Sequence, residues 1–443
     1  MPTQIVLDLS RLVYAGFCTA PTGIPRVEMA YTEHFIAMVP EHTIFVISNG
    51  LGQLVELDRT QTLRFIAQLN RFWQCDLGMR GARSRLFLTT AWLHAKLLLR
   101  RSGRLRRKLA THAGTSIYVL VSQLHLDRRG VVERLLQAGD VRLLCFIHDT
   151  LPSEFPEWFP RGVSARKHRL MQKVAKLADA VLVNSESTRR SFLHHFVDDP
   201  SHLPVITAPL GVGVGGETAV RRTCERQVSA QPYFVILGTI EPRKNHKLLL
   251  DIWRQLAGQA SPATPRLIVI GARGWKNGDV IAMLDEAVRG GFVEERAAVS
   301  DERVVELLCN ARALLLPSFA EGYGLPLAEA LALGVPVICS DIPVFREVGG
   351  AAPTFLDPQD GAAWHAAILA HARTPSAARD AQIVRIAQWR APSWTAHFAT
   401  VDAVIADIVA APRARSDAAL VRADTNARAG FPGGSASAAT TDR

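Results

Sequence analysis

Cysteine is scarce in this chain and long apolar runs are missing. Six cysteines among 443 residues form no C-x-x-C pair. They read as buried thiols rather than as disulfides or a zinc site. No apolar run reaches the ~18 residues needed to cross a bilayer. The longest candidate, Leu86 to Leu99, is interrupted by His94 and Lys96. Met1 leads directly into a strand-like Ile5-Val-Leu-Asp8, which reads as the start of a domain without a secretory leader. Thiols and start together lead us to expect a cytoplasmic protein. Whole reaction classes drop out as well. There is no D-x-D triplet at a strand end, no H-E-x-x-H and no His/Cys cluster, so nothing calls for a metal. There is no G-x-S-x-G elbow and no G-x-x-x-x-G-K-[ST] loop, which excludes an α/β-hydrolase triad and a P-loop NTPase.

What is present is a net charge of +10 with a pronounced asymmetry. Residues 1–215 carry 27 Lys and Arg against 17 Asp and Glu, whereas residues 216–443 carry 24 of each. The whole excess lies in the first half. Part of it is concentrated at Arg100-Arg101-Ser-Gly-Arg104-Leu-Arg106-Arg107-Lys108, just after Leu97, Leu98 and Leu99. Arg161, Arg166, Lys167, Arg169, Lys173 and Lys176 form a second stretch along an expected helix. Such patches attract phosphate, in nucleic acid or in anionic lipid, or are simply solvated. The leucines tilt the first patch toward a membrane surface. No helix-turn-helix, RNA-recognition or zinc motif accompanies the basic runs, and aromatics do not interleave with them, so nucleic acid is not the expected partner.

Apolar runs alternate with helical segments throughout, the pattern of a parallel α/β protein. Ile44–Ile47, Ile117–Val121, Leu143–Ile147 and Ala180–Val183 read as strands of a first half. Tyr233–Leu237, Leu267–Ile270, Ala313–Leu316 and Val337–Cys339 read as strands of a second. Pro204 to Gly216, rich in Gly and Pro, reads as a hinge between two Rossmann-like halves. The expected division is 1–212 and 213–390, a closing helix over 391–411, and a disordered Ala/Ser/Gly/Arg tail over 412–443. Gly211-Val-Gly213-Val-Gly-Gly216 matches G-x-G-x-x-G, but no good helix opens at Gly216. It reads as linker, with a dinucleotide enzyme as the rival.

Chemistry is concentrated at strand ends. Pro317-Ser-Phe-Ala-Glu321-Gly322-Tyr323-Gly324-Leu325-Pro-Leu-Ala-Glu329 follows a buried strand, and the helix after it stops at Gly334. Glu321 falls in the loop where open α/β sheets bind ligands, and Glu329 about one turn into the helix. Two such carboxylates suit a hydroxyl-rich ligand, although a metal or an acid/base pair is open on spacing alone. Leu237-Gly238-Thr239-Ile-Glu-Pro-Arg243-Lys244-Asn245-His246 places two cations at the start of a helix, a phosphate site. Gly271 opens a further glycine loop, Gly271-Ala-Arg-Gly274-Trp275-Lys276. In the first half, His148 in Ile-His148-Asp149-Thr-Leu-Pro152 ends a strand and is either structural or a polar contact to a reacting centre. Gly23, in Thr-Gly23-Ile-Pro25-Arg26, precedes a helix opening at or after Pro25; it either faces a phosphate or forms a plain turn.

Together these runs resemble the retaining glycosyltransferases of family 4. The Glu321…Glu329 pair is similar to their E-x7-E signature. The Gly-Thr-Ile-Glu-Pro-Arg-Lys-Asn run, the Gly-Ala-Arg-Gly-Trp loop, Val299-Ser-Asp-Glu302, Pro336-Val-Ile-Cys-Ser340 and Glu347-Val-Gly-Gly-Ala-Ala follow in the family's order. Thr-Gly-Ile-Pro-Arg-Val-Glu28, Ile-His-Asp-Thr-Leu-Pro152 and Val183-Asn-Ser-Glu186 match in the first half. The likeness spans roughly residues 5–410 and is stronger in the second half. It implies an α/β fold of the GT-B type: two Rossmann-like domains facing across a cleft, with a C-terminal helix crossing back to the first.

The resemblance also implies roles. Lys244, with Arg243, would grip a donor diphosphate; Glu321 would contact the donor sugar and Glu329 the ribose. The backbone of Tyr323 to Leu325, with Gly322, would line the sugar and diphosphate. His148 would reach the sugar across the cleft, and Gly23 would sit by the diphosphate. Gly238, Thr239 and Gly271 would belong to the nucleotide side. Thr239 departs from the arginine many members carry there. The runs look most like mannosyltransferases of polysaccharide assembly. The donor implied is therefore GDP-mannose, with a UDP-hexose as alternative, and no other cofactor or metal. The acceptor would be a lipid-linked or oligosaccharide molecule, reached by a cytoplasmic enzyme peripheral on the inner face of the membrane. A catalytically silent partner protein is the other reading.

Overall fold

The computed structural model describes residues 3–17, 23–49, 52–74, 80–98, 103–123, 125–126, 128, 130–213, 231–259, 264–297 and 299–412. β-Branched and aliphatic runs form two sheets. In the first, β1 (Gln4–Asp8), β2 (Thr43–Ser48), β3 (Leu54–Glu56), β4 (Ser116–Leu120), β5 (Val141–Ile147), β6 (Ala180–Val183) and β7 (Val205–Thr207) take the order β3-β2-β1-β4-β5-β6-β7. Only β3 runs antiparallel to its neighbour. In the second, β8 (Tyr233–Leu237), β9 (Arg266–Ile270), β10 (Val293–Arg296), β11 (Leu314–Leu316), β12 (Val337–Ser340) and β13 (Thr354–Leu356) take the order β10-β9-β8-β11-β12-β13, all parallel. Both orders reverse direction beside their first strand, and it is there, outside the carboxyl ends, that such sheets bind ligands. In the second sheet the point lies between β8 and β11; in the first, between β1 and β4. Central strands are buried on both faces, as helix-covered parallel sheets require.

The chain then crosses back. Ser393 caps the Trp394–Ala410 helix by accepting from the Ala396 N–H at 3.1 Å. His397 on that helix donates from Nδ1 to the Pro209 carbonyl (3.1 Å) and accepts at Nε2 from the Tyr31 hydroxyl (3.1 Å). Phe398 stacks on His34 of the first half, with centroids 4.1 Å apart. This helix is thus part of the first half's core.

Several expectations change. Pro204–Gly216 is not a loose hinge along its described length. Val205–Thr207 pairs with β6, and Val212 N–H bonds to the Pro392 carbonyl at 3.1 Å. Gly211 is needed because a Cβ there would strike Trp394. Close passage of the final helix, not a dinucleotide, explains the first glycine of the G-x-G-x-x-G match; 214–216 lie outside the described residues. Cys145 and Cys339 are buried thiols, but Cys309 is disulfide-bonded. Pairing depends on Cα atoms converging in space, which linear spacing does not reveal, so thiols no longer support the choice of compartment.

The second basic stretch is not one solvated face. Lys173 turns inward to Glu133 (2.8 Å) and the Leu126 carbonyl (2.8 Å), and Lys167 turns toward Gln123. In the first, Lys108 pairs with Glu56 at 2.6 Å, and Arg100 and Arg101 lie outside the described residues. The tail expected over 412–443 also lies outside them beyond Pro412. Among the described residues no helix is long and apolar enough to cross a membrane.

Candidate active site

The loops after β8 and β11 face the loop after β5 and the start of the Gly23–Met38 helix. Between them is a cleft of about 530 Å³. Every residue that the resemblance assigns to the donor site lines it. Glu321, Gly322, Tyr323, Gly324, Leu325 and Glu329 come from the β11 side; Gly238, Thr239, Arg243 and Lys244 follow β8; Gly271 follows β9. His148 and Gly23 come from the first half.

The two cations are not at a helix start. They occupy a 3-10 turn, Pro242–Lys244, separated from the His246–Gly258 helix by Asn245 at φ 53. The turn aims them at Glu321. Arg243 Nη1 donates to Glu321 Oε2 at 2.7 Å and Lys244 Nζ to Oε1 at 2.5 Å; Ser318 Oγ adds a bond at 2.8 Å. Arg243 also pairs with Glu241 at 2.7 Å. Two carboxylates and two cations thus alternate and cancel. Burial alone would raise the Glu321 carboxyl, but Arg243 and Lys244 outweigh it and bring it down to about 2. The same carboxylates hold the Arg243 guanidinium above its ordinary value against burial.

Glu329 behaves oppositely. It sits in the first turns of the Leu325–Ala332 helix, and burial pushes its carboxyl up to about 7; Arg26 pulls it down and Asp301 adds to the rise. Arg26, on the Gly23–Met38 helix, spans the cleft to make a two-pronged pair with Asp301, one arm at 2.7 Å. Its helix begins at Gly23, two residues before Pro25. Neither Arg26 nor Asp301 was assigned a role from the sequence. Both stood in matching runs, but nothing in the linear order pairs residues so far apart.

His148 is neutral. Its Nε2 donates to the Val121 carbonyl at 2.9 Å, and burial lowers its pKa to about 4. Its backbone lies against the Glu321 loop so closely that a Cβ on Gly322 would strike the His148 carbonyl. The Gly322 carbonyl accepts from Ser185 Oγ (2.9 Å) and Thr188 Oγ1 (3.1 Å) of the first half. Glu347 of the second half accepts from the Glu186 (2.6 Å) and Ser187 (3.1 Å) N–H groups, at the start of the Glu186–Phe196 helix. Trp275 Nε1 donates to the Trp158 carbonyl at 2.9 Å, and Trp158 stacks near Phe319. The halves are closed on each other around the cleft.

Comparison with known proteins gives a consistent result. The profile described as "Glycosyl transferases group 1" matches residues 224–381, and "Glycosyltransferase Family 4" matches residues 65–209. The chain is 30% identical over 258 residues to the Escherichia coli O-antigen chain mannosyltransferase B, covering 57% of this chain and 67% of that protein. It is 27% identical to the O-antigen chain mannosyltransferase RfbU of Salmonella typhimurium, covering 52% of this chain and 61% of that one. Among solved structures, Anabaena HepE in complex with UDP-glucose matches with a TM-score of 0.58 at 14% identity, over 91% of this chain and 99% of that one. At that identity the likeness concerns the fold, which is the GT-B arrangement of two facing Rossmann-like domains.

Proposed function

The chain belongs to glycosyltransferase family 4, and from that membership we propose that it transfers mannose from GDP-mannose, with retention, to a membrane-held acceptor in polysaccharide assembly. The observation that carries the reading is the paired lock of Arg243 and Lys244 on Glu321, on the same cleft wall as Glu329. An arriving diphosphate competes with Glu321 for both cations. With both cations shared between it and the diphosphate, Glu321 stays ionised and accepts hydrogen bonds from the sugar hydroxyls. Glu329 takes the ribose. The backbone from Gly322 to Leu325 lines the sugar and diphosphate, Gly23 approaches the diphosphate from the other side, and Gly238, Thr239 and Gly271 floor the nucleotide. His148, protonated only at Nε2, can accept a sugar hydroxyl at Nδ1.

The acceptor hydroxyl attacks the anomeric carbon on the face the diphosphate leaves. The new C–O bond forms as the bond to phosphate breaks, and a departing phosphate oxygen takes the acceptor proton. Lys244 and Arg243 stabilise the charge that builds on it, where preorganised electrostatics do most.

Mannose is supported by the O-antigen mannosyltransferases among the relatives. A membrane-held acceptor is supported by the first half. Phe87, Leu88 and Trp92 on the Arg80–Leu98 helix are about half exposed or more (52%, 65% and 52%). The Gly103–Ala110 helix buries Leu105 and Leu109 and turns Arg104, Arg106 and Arg107 outward. Exposed aromatics and outward basic groups suit an anionic bilayer surface.

A sugar-nucleotide panel, read by thermal shift and donor hydrolysis, tests this. GDP-mannose should stand out, whereas preference for a UDP-hexose sinks the mannose assignment. Glu321→Ala and Lys244→Ala should each lower turnover at least ~10²-fold; near-normal rates remove their roles.

A further inference from the structure

We propose that the crevice of the first sheet is a second ligand site, built from Arg11, Lys167 and Gln123, that takes a phosphate or pyrophosphate group carried by the acceptor next to the sugar being extended. The inference rests on the reading that the first half receives the acceptor.

Position comes first. The sheet order reverses between β1 and β4, so the loops leaving these two strands frame a crevice of the kind that binds ligands in open α/β sheets. Arg11 follows β1, and Ser122 and Gln123 follow β4. The donor site described above uses the equivalent crevice of the other sheet.

Chemistry comes next. Gln123 is buried and its amide donates to the Phe146 carbonyl, which fixes its Oε1. Lys167, on the Val163–Leu177 helix, reaches in until its Nζ is 3.4 Å from that oxygen. Arg11 Nε is buried with no hydrogen-bond partner. Neither cation has a carboxylate within ion-pair distance among the described residues. This differs from Arg243, Lys244 and Lys173, each of which is matched by a glutamate. The carboxyl close to Arg11 is Glu28, buried beside Ser122 without a well-formed bond to it. Burial pushes Glu28 up to about 8, so at neutral pH it holds its proton and leaves the charge of Arg11 uncancelled. Burial disfavours the charge on Lys167, and Asp149, beyond ion-pair distance, offsets this only in part; two cations with so little counter-charge are costly unless an anion completes them. Phosphate oxygens, with their charge spread over several acceptors, fit guanidinium and ammonium together.

The neighbourhood narrows the ligand. Both cations are close enough to His148 to act on it electrostatically, and Asp149 acts on Lys167; His148 and Asp149 line the donor cleft. The anion is therefore held close to the attacked hydroxyl. Tyr14 lies one turn beyond Arg11 on the Ser10–Ala15 helix, is 58% exposed, and meets Phe17, which meets Phe87 of the exposed aromatic patch. The helix that carries Arg11 thus leads to the surface suited to a bilayer. A short sugar joined by pyrophosphate to a lipid satisfies both constraints; the far end of a long neutral polysaccharide satisfies neither. The preceding reaction is then one that joins a sugar phosphate to a lipid phosphate.

Mannose and N-acetylglucosamine, each as the undecyl pyrophosphate and as the neutral undecyl glycoside, test the inference with the full-length enzyme. Undecyl glucuronoside serves as a carboxylate control. For the better sugar, kcat/KM should favour the pyrophosphate at least tenfold. In Arg11→Gln and Lys167→Gln that ratio should fall toward one through a higher acceptor KM, and the charge-keeping Arg11→Lys should retain most of it. Equal use of charged and neutral acceptors by the wild type overturns the site, even if a variant fails to fold. So does a ratio preserved in both glutamine variants, or preference for the glucuronoside. Donor turnover without anion preference strikes only this inference; no turnover of any sugar nucleotide strikes the function on which it rests.

Discussion

Glu321 and Glu329 stand eight positions apart and titrate in opposite directions. Glu321 is held ionised by two cations, so the stability it contributes is present above the ordinary carboxylate range and is lost as pH falls toward about 2. Glu329 is raised to about 7. The unfolded chain ionises near 4.5 while the folded chain keeps the proton, so stability declines as pH climbs from about 4.5 to about 7 and is level above. Ionised Glu329 is the stronger acceptor for ribose hydroxyls. Donor affinity should therefore improve roughly tenfold between about pH 6 and 8, the scale of a charge-assisted hydrogen bond. Calorimetric titration of GDP-mannose should show this slope, and Glu329→Gln should flatten it. A level wild-type profile contradicts the ribose role. At this scale the sequence was readable where each partner sits in a strand-end motif of its own, as Arg243 and Lys244 do after β8 and Glu321 does after β11. It was silent on Arg26 and Asp301, 275 positions apart, because only the closed cleft brings them together.

Central strands were legible as elements because they are unbroken apolar runs buried on both faces. The edge strands were not. β3, β7 and β13 have three residues each, and β10 reads Val-Glu-Glu-Arg; their strand character comes from the neighbour they pair with. The Pro242–Lys244 turn reads as a helix start in the sequence because composition does not register the left-handed Asn245 that separates the turn from the helix. One helix terminus has a functional consequence. Glu347 supplies an anion to the start of the Glu186–Phe196 helix from the opposite half, a contact typically worth 0.3–1 kcal/mol and up to ~2 when partly buried. Glu347→Ala should loosen closure, seen as a larger radius of gyration by small-angle scattering without ligand. It should also raise the donor KM about fivefold, the equivalent of ~1 kcal/mol. Scattering indistinguishable from wild type counts against a role in closure.

For the whole molecule, the fold was largely legible. Two sets of alternating strands and helices and a returning terminal helix follow from pattern and resemblance, and the structure has them. The arrangement of charge was only half legible. Excess positive charge was assigned correctly to the first half, but counting could not separate lysines that face solvent from those, such as Lys167 and Lys173, that turn into the protein. That separation matters for function. Outward arginines with exposed aromatics suit a bilayer, inward uncompensated cations suit an acceptor anion, and compensated cations in the second half suit a donor diphosphate.

The central claim is same-face transfer of mannose between these two crevices. Proton NMR of the first product formed from GDP-mannose, with a chelator present, tests it most directly. The account predicts an α-mannoside, the anomeric configuration of the donor. A β-mannoside contradicts it.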